Sequence, residues 1–324
     1  MAHPLPQTPA MSRPDYTLLI DAPTWDFIRR SEAAYPPDTA TLTIADQRAI
    51  YDAMCRQFHR GYPDGITAKD RPFGGVPCRH YPGTGGTILY FHGGGFVVGG
   101  LHSHDDVCAD LCATTGLHVV SVDYRLCPEH PHPAAFDDAC AAAKGVAAEL
   151  PAPLLLAGDS AGGNLAAAVT HAFGRHGGLG IVGQVLIYPG LGGSPEQGSY
   201  LTHAHAPMLS RDDVLYYGVI RHADGAAPPP DPTFAPLSDD DFRGLPPTLA
   251  IAAECDPLAD DAAAYAARVA AAGGSARAVT EPGLVHGYLR ARATVPRAAA
   301  SFARITRTLT AMALGIWPDP EEPA

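Results

Sequence analysis

The stretch from Leu154 to Gly163 constrains the fold of this chain more than any other. An apolar run that favours a buried strand leads into Gly-Asp-Ser-Ala-Gly, and an alanine-rich run that favours a helix follows. Ser160 stands at the apex of the turn, at the N-terminus of the predicted helix. Gly158 and Gly162 suit so sharp a turn, because side chains two positions before and after the serine would collide. The pattern predicts a strand, a tight turn and a helix.

A serine in such a turn has two interpretations. A hydroxyl is a good nucleophile only when a base removes its proton, and the turn lifts the Oγ of Ser160 to where a histidine can reach it. The N–H of Ala161 would then point at any oxygen that becomes negative. Gly-x-Ser-x-Gly also occurs as an ordinary small-residue turn, so the motif needs partners elsewhere in the chain.

The composition limits the class of protein. With 324 residues, 46% of them hydrophobic, the chain is long enough for one large α/β domain or for a core domain with a lid. The net charge of −12 argues against nucleic-acid and anionic-membrane partners. There is no apolar run of membrane-spanning length and no signal-peptide pattern, so we expect a cytoplasmic protein. Seven cysteines without paired Cys-x-x-Cys motifs predict reduced, packed thiols.

Predicted strands alternate with predicted helices through most of the chain. This alternation predicts an α/β fold, with a mostly parallel sheet covered by helices on both faces and ligands at the carboxyl ends of the strands. The turn-rich stretch from Ile66 to Tyr81 suits a small antiparallel edge. Buried-strand patterns begin near residues 87, 118, 154, 184, 248 and 277.

Two segments break the alternation. Residues 1-60 are predicted to form an N-terminal helical arm, and residues 191-245 form an insertion into an otherwise regular chain. An insertion of that size is either a lid or a decorated loop. The α/β core is therefore expected to comprise residues 61-190 and 246-324. Helices are predicted in these segments over residues 22–30, 43–58 and 209–220.

Two residues that follow the last predicted strands are candidate partners of Ser160. Asp256 is followed by a proline that ends its strand and holds the carboxylate in a loop, and His286 lies in a glycine-flanked loop. Alone, an aspartate before a proline is often a turn, and one of 15 histidines is often a surface residue. Their order along the chain, serine then acid then histidine, is that of an α/β-hydrolase triad.

A run of three glycines follows the strand near residue 87. Acyl transfer needs backbone N–H donors aimed at the developing oxyanion, and successive glycines let a substrate carbonyl approach the main chain. Such a run can also be a flexible loop or a phosphate cradle, but no Lys-Ser/Thr follows this one. We predict Gly93 and Gly94 as donors together with Ala161, and Gly95 is an alternative donor.

Several motifs occur in the order typical of one family. They are Phe91 to Gly99, with His-Gly-Gly-Gly, then Asp123 to His130, Gly158 to Gly163, Asp256 to Leu258 and His286 to Tyr288. From about residue 75 to 290 the chain resembles the bacterial hormone-sensitive-lipase family (family IV) of α/β-hydrolases, in its Gly-Asp-Ser-Ala-Gly branch. The resemblance implies a carboxylesterase for short acyl chains, an eight-stranded core, and a cap built from the N-terminal helices and the insertion.

The chain departs from the family pattern at two positions, with Cys127 where alanine is usual and Tyr288 where phenylalanine is usual. Neither residue belongs to the predicted triad. Arg125 and Glu129 are expected to form a structural ion pair that braces the loops. Motif residues with a supporting role are His92, Gly95, Gly158, Asp159 and Gly162, and the candidate pocket residues are Phe96, Met208, Tyr216 and Leu284.

The predicted reaction is hydrolysis through an acyl-enzyme. Ser160 attacks an ester carbonyl, His286 takes its proton, and Asp256 fixes the tautomer of the histidine. No metal or organic cofactor is expected, and the expected partner is a small-molecule ester bound to a monomer or homodimer. An amidase or formamidase is the alternative enzyme, because the same groups cleave amides. A non-catalytic ligand receptor is a further alternative, although receptors derived from this family typically lose the histidine.

Overall fold

The computed structural model describes residues 14–36, 39–222 and 230–317. The first thirteen residues of the predicted arm, part of the proline-rich stretch of the insertion and the end of the predicted tail therefore lie outside the described residues. All the strands and helices predicted from the sequence lie inside them.

One eight-stranded sheet forms the centre of the protein. Its strands are β1 (Lys69–Phe73), β2 (Val76–Tyr81), β3 (Thr87–Phe91), β4 (His118–Val122), β5 (Leu154–Asp159), β6 (Ile181–Ile187), β7 (Thr248–Cys255) and β8 (Ala276–Val285). Their order in the sheet is β1-β2-β4-β3-β5-β6-β7-β8. β2 is antiparallel to β1 and to β4, and the strands from β4 to β8 pair in parallel. The predicted α/β class and the antiparallel edge are confirmed.

The helices largely follow the sequence patterns. In the described residues they are α1 (Tyr16–Leu19), α2 (Ala22–Glu32), α3 (Ile44–Arg56), α4 (Asp105–Thr115), α5 (Ala134–Glu149), α6 (Ala161–Val169), α7 (Ser199–Thr202), α8 (Arg211–Ile220), α9 (Ala259–Ala271) and α10 (Pro296–Ala313). Local chemistry sets several starts: Asp21 caps α2, Ser210 and Asp213 form a capping box on α8, and a proline opens α10. The short helices α1 and α7 had no periodic signal, because four residues do not complete a repeat.

Helices cover both faces of the sheet. α4 and α10 pack against one face, and α5, α6 and α9 pack against the other, which gives two large apolar clusters. Every residue of β3 and β5 is buried, as expected for central parallel strands. All seven cysteines are buried and free, in agreement with the prediction of packed thiols. Within the described ranges no helix has the length and apolarity to span a membrane.

The parallel strands bring the candidate residues to one edge of the sheet. Ser160 directly follows β5, Asp256 directly follows β7, and His286 directly follows β8. Since parallel strands end at the same edge, residues separated by 126 positions become neighbours.

Candidate active site

The turn after β5 holds Ser160 in an unusual backbone conformation. Its φ is 55° and its ψ is −117°, and its N–H donates to the Ile187 carbonyl at 2.8 Å. A Cβ on Gly158 would lie 2.3 Å from the Gly162 carbonyl oxygen, and a Cβ on Gly162 would lie 1.9 Å from the Phe91 carbonyl oxygen. These separations are shorter than a van der Waals contact, so both positions require glycine. The serine is thereby fixed at the apex with its Oγ pointing away from the strand.

Ser160, His286 and Asp256 form one hydrogen-bonded chain. The Nε2 of His286 lies 2.8 Å from the Oγ of Ser160, and its Nδ1 lies 2.7 Å from the Oδ2 of Asp256. Asp256 is fully buried, and its Oδ1 accepts the N–H of Leu258 at 2.9 Å. A carboxylate only accepts, so Nδ1 carries the proton and Nε2 is left free to accept the serine proton.

Neighbouring groups fix the loop that carries His286. The Tyr188 ring packs against the imidazole with centroids 4.8 Å apart. The Glu254 carboxylate accepts the Gly283 N–H at 2.6 Å, where a register shift separates the ends of β7 and β8. On the outer side Arg297 donates to the Pro282 carbonyl. No sequence pattern predicts these contacts, since each depends on how two distant loops meet.

The N–H of Gly93 has a partner inside the protein, and this corrects its predicted role. It donates to the Oδ1 of Asp159 at 3.0 Å in a buried contact. A backbone N–H has one hydrogen, so this donor is not free to bind a substrate oxygen. Among hydrogen bonds between described residues, none uses the N–H of Gly94, Gly95 or Ala161.

Asp159 is the centre of a buried polar network beneath Ser160. Besides the Gly93 N–H, its carboxylate accepts the Tyr90 hydroxyl at 2.7 Å and lies 3.2 Å from the Nε2 of His104. Burial acts to raise the pKa of Asp159, but His104, the nearby Arg290 and the Tyr90 hydroxyl outweigh it and lower the pKa. Asp159 is therefore ionised, and it holds the glycine-rich loop against the turn that carries Ser160.

Two buried histidines beside this network predict acid sensitivity. Burial lowers the pKa of His104 and lowers that of His92 to about 3, whereas burial raises the pKa of Asp261 to about 6. Between pH 6.5 and pH 4 the unfolded chain thus takes up a proton at His92 that the folded chain does not. His104 acts in the same direction, and Asp261 acts in the opposite direction. We expect the free energy of unfolding to fall as pH drops through this window, with His92 contributing up to about 1.4 kcal/mol per pH unit.

Denaturant unfolding at several pH values tests this expectation. The replacement His92→Gln should make the pH dependence shallower by up to about 1.4 kcal/mol per unit, because it removes the difference in proton uptake at His92. Stability that is constant or increases between pH 6.5 and pH 4.5 would contradict the assignment of neutral buried histidines.

The four predicted pocket residues occupy different environments. Phe96 is buried beside the glycine-rich loop with a positive φ of 63°, and Met208 is half-buried against the core. Leu284 is fully buried in the apolar core. Tyr216 is 45% exposed, whereas the ring of its neighbour Tyr217 lies against Gly95. The sequence does not predict which of the two tyrosines faces the glycine-rich loop, because apolar residues occupy all sides of α8 and the helical period does not select a face.

The predicted ion pair between Arg125 and Glu129 is wrong. Arg125 donates a bidentate pair of hydrogen bonds to the Asp138 carboxylate, each with an N···O distance of 2.8 Å. Glu129 accepts a bidentate pair from Arg48. Arg48 lies on α3 and also donates to the Val97 carbonyl at 2.8 Å. The consequence is that the N-terminal arm, through α3, is joined to the loop that carries the glycines.

The chain matches the family model described as the alpha/beta hydrolase fold over residues 88–290. It is 41% identical over 225 residues to the carboxylesterase NlhH of Mycobacterium tuberculosis, which covers 67% of this chain and 70% of that protein. It is 34% identical over 216 residues to an ethyl acetate hydrolase of Pseudomonas putida, with coverage of 64% and 67%. A solved structure of the Pyrobaculum calidifontis esterase aligns with a TM-score of 0.76 and 32% identity over 86% of this chain and 95% of that chain.

Proposed function

Because the chain belongs to the α/β-hydrolase family, in its hormone-sensitive-lipase-like branch of carboxylic ester hydrolases, we propose that it hydrolyses short-chain acyl esters with Ser160, His286 and Asp256 as its catalytic triad. The observation that carries this proposal is the continuous chain of hydrogen bonds from Ser160 through His286 to Asp256, with both bonds at 2.8 Å or less. Each group has the partner that its role requires.

In the first half of the reaction an acyl group moves to the enzyme. The Ser160 Oγ bonds to the ester carbonyl carbon while its proton passes to the Nε2 of His286. The carbonyl oxygen becomes an oxyanion. As the tetrahedral species collapses, the bond to the alcohol oxygen breaks and the imidazolium returns the proton to the leaving alcohol. Water then repeats these steps on the acyl-enzyme and releases the carboxylic acid.

The oxyanion is proposed to bind the N–H groups of Gly94, Gly95 and Ala161. Gly94 has a φ of 131° and Gly95 a φ of 60°, which are values that favour glycine and turn the peptide planes out of the regular strand direction. A Cβ on Gly94 would lie 2.1 Å from the Val98 carbonyl oxygen, so a side chain is excluded there. The donor of Ala161 lies at the N-terminus of α6, where the helix dipole adds to its effect.

The arm and the insertion are proposed to form a cap over this site. α3 reaches the glycine-rich loop through Arg48, and α8 reaches it through Tyr217, so both segments border the proposed oxyanion site. A cap that packs so closely on the glycine-rich loop leaves room only for small acyl groups. The relative named as an ethyl acetate hydrolase supports a short-chain substrate.

Hydrolysis of p-nitrophenyl esters from acetate to palmitate tests the proposed function. We expect turnover of the short chains only, and much slower cleavage of the matching p-nitroanilides. Faster cleavage of anilides than of esters would instead support an amidase. A folded protein that binds these compounds without turning over any of them would support a receptor and overturn the proposal.

Tyr217 provides a further test of the cap. Because its ring lies against Gly95, its removal should open space beside the acyl carbon. In Tyr217→Ala we expect the ratio of kcat/KM for octanoate to that for acetate to rise by about tenfold. The adjacent Tyr216→Ala is the matched control, since that side chain is exposed and should leave the ratio unchanged. Equal ratios in the two variants would argue against this placement of the acyl pocket.

A further inference from the structure

A buried arginine lies between two aromatic rings at the C-terminal end of α8. The guanidinium carbon of Arg221 is 3.6 Å from the centroid of the Phe96 ring and 3.8 Å from the centroid of the Phe234 ring. The residue is 8% exposed, and both phenylalanines are buried. The three side chains therefore form a continuous stack, in which the flat guanidinium packs between two π faces.

One end of the stack is part of the glycine-rich loop. Phe96 follows Gly95 directly, and its φ of 63° is a conformation that costs a residue with a side chain of order 1–3 kcal/mol. Contacts of the ring must maintain this conformation. They are the stack with Arg221 and the packing against the Tyr124 ring, and the Phe96 carbonyl also accepts the Cys127 N–H at 2.8 Å. Because Gly95 and Phe96 share a peptide bond, a shift of Phe96 moves Gly95.

The other end of the stack is attached to the helix that follows the nucleophile. The Phe234 carbonyl accepts one hydrogen bond from the Nη1 of Arg221 at 3.3 Å and another from the Nδ2 of Asn164 at 3.0 Å. Asn164 is buried in the first turn of α6, three residues after Ala161. The stack thus extends from Gly95 to the helix that begins at Ala161.

We propose that Arg221 is a positioning residue that sets the spacing between the two halves of the oxyanion site, Gly94 and Gly95 on one side and Ala161 on the other. This inference rests on the proposed function. Arg221 reaches neither half directly and acts through Phe96 and through the Phe234 carbonyl. The insertion then has two roles, since it covers the site and also holds the donors of the site in place.

An arginine suits this position better than a lysine. Both faces of a planar guanidinium can stack, whereas an ammonium is a point charge with no flat face. Burial lowers the pKa of Arg221 to about 9, so the group is still charged at neutral pH and the attraction to the two rings is retained. Arg221→Lys should keep the charge and lose the stack.

The test compares Arg221→Lys with a matched control, Arg268→Lys. Arg268 stacks on the Phe242 ring and donates to the carbonyls of Leu237 and Asp239 in the insertion, away from the glycine-rich loop. For each variant we would measure kcat and KM for p-nitrophenyl acetate, the Tm, and the inhibition constant of a short-chain trifluoromethyl ketone. Serine adds to such a ketone to give an oxyanion in the same site, so the constant reports how well the donors are placed.

In Arg221→Lys we expect kcat to fall by about 10- to 100-fold, less than the loss of a whole oxyanion donor, with KM within about threefold of wild type. The ketone should bind more weakly by a similar factor. Arg268→Lys should lower the Tm and leave kcat and ketone affinity within about twofold. As a second variant Phe234→Leu removes one face of the stack and keeps Arg221, and it should give a smaller loss of the same kind.

The two proposals fail in different ways. If wild type hydrolyses the ester and Ser160→Ala does not, but Arg221→Lys and Phe234→Leu keep wild-type kcat and ketone affinity, the positioning role is overturned and the proposed function stands. The same holds if losses at Arg221 match those at Arg268, because the role would then be structural only. If wild type turns over no ester, the proposed function falls and the inference falls with it.

Discussion

Ser160→Ala is expected to lower the turnover of p-nitrophenyl acetate by about 10⁶-fold, as in other enzymes whose serine triad loses its nucleophile. In the proposed mechanism the Oγ is the atom that bonds to the acyl carbon, and alanine has no group that can replace it. The fold should be retained, because the N–H of Ser160 still donates to the Ile187 carbonyl and the strained turn is set by its glycines. Steady-state kinetics and the Tm of the purified variant give both quantities.

A matched serine separates the loss of a nucleophile from a general effect of losing a hydroxyl. Ser301 is buried on α10, and its Oγ lies 2.7 Å from the Tyr288 hydroxyl. Ser301→Ala should cost about 1 kcal/mol of stability and leave kcat unchanged. If Ser160→Ala kept more than a few per cent of wild-type turnover, Ser160 would not be the nucleophile.

Asp256→Asn is expected to lower kcat by about 10⁴-fold, the effect of the equivalent change in a well-studied serine triad. The carboxylate is fully buried, and its Oδ2 accepts from the Nδ1 of His286 at 2.7 Å. An amide can turn an N–H toward Nδ1, which then becomes the acceptor and leaves the proton on Nε2. A histidine in that tautomer does not accept the serine proton.

The control for this change is Asp260→Asn, four residues further along the chain. Asp260 accepts the Ser199 N–H at 2.8 Å and does not contact His286. The same chemical change should there leave kcat within about twofold, measured with the same ester. A loss below about tenfold in Asp256→Asn, or equal losses in the two variants, would show that Asp256 does not orient the histidine.

The fold and the three residues of the proposed triad were predictable because local rules place them. The strands β3 and β5 contain apolar runs, and Gly158 is required by a contact within the turn itself, whereas Gly162 is required by the approach of the turn to the end of β3. Asp256 and His286 follow the strands that end at the same sheet edge as Ser160. The order of the strands in the sheet then brings these three residues together, whatever the conformation of the other loops.

The errors share a different physical cause. The run of glycines predicts Gly93 as an oxyanion donor, but its N–H donates to Asp159, and this contact depends on how the ends of β3 and β5 meet. The partners of Arg125 and Glu129 lie on separate helices. The periodicity of α8 does not predict that Tyr217 rather than Tyr216 contacts Gly95, because packing on the glycine-rich loop sets the orientation of this helix. These side-chain and backbone contacts join segments that are distant in the sequence, and local sequence patterns do not predict them.

The most direct test of the central claim is mass spectrometry after reaction with diethyl p-nitrophenyl phosphate. In this reaction the Ser160 Oγ bonds to phosphorus and p-nitrophenolate leaves, and the product hydrolyses slowly. We predict one diethylphosphoryl group per chain, located on the peptide that contains Ser160, with loss of esterase activity in proportion to labelling and no labelling of Ser160→Ala. Labelling of another residue in step with inactivation, or an active enzyme after full labelling of Ser160, would contradict the proposed mechanism.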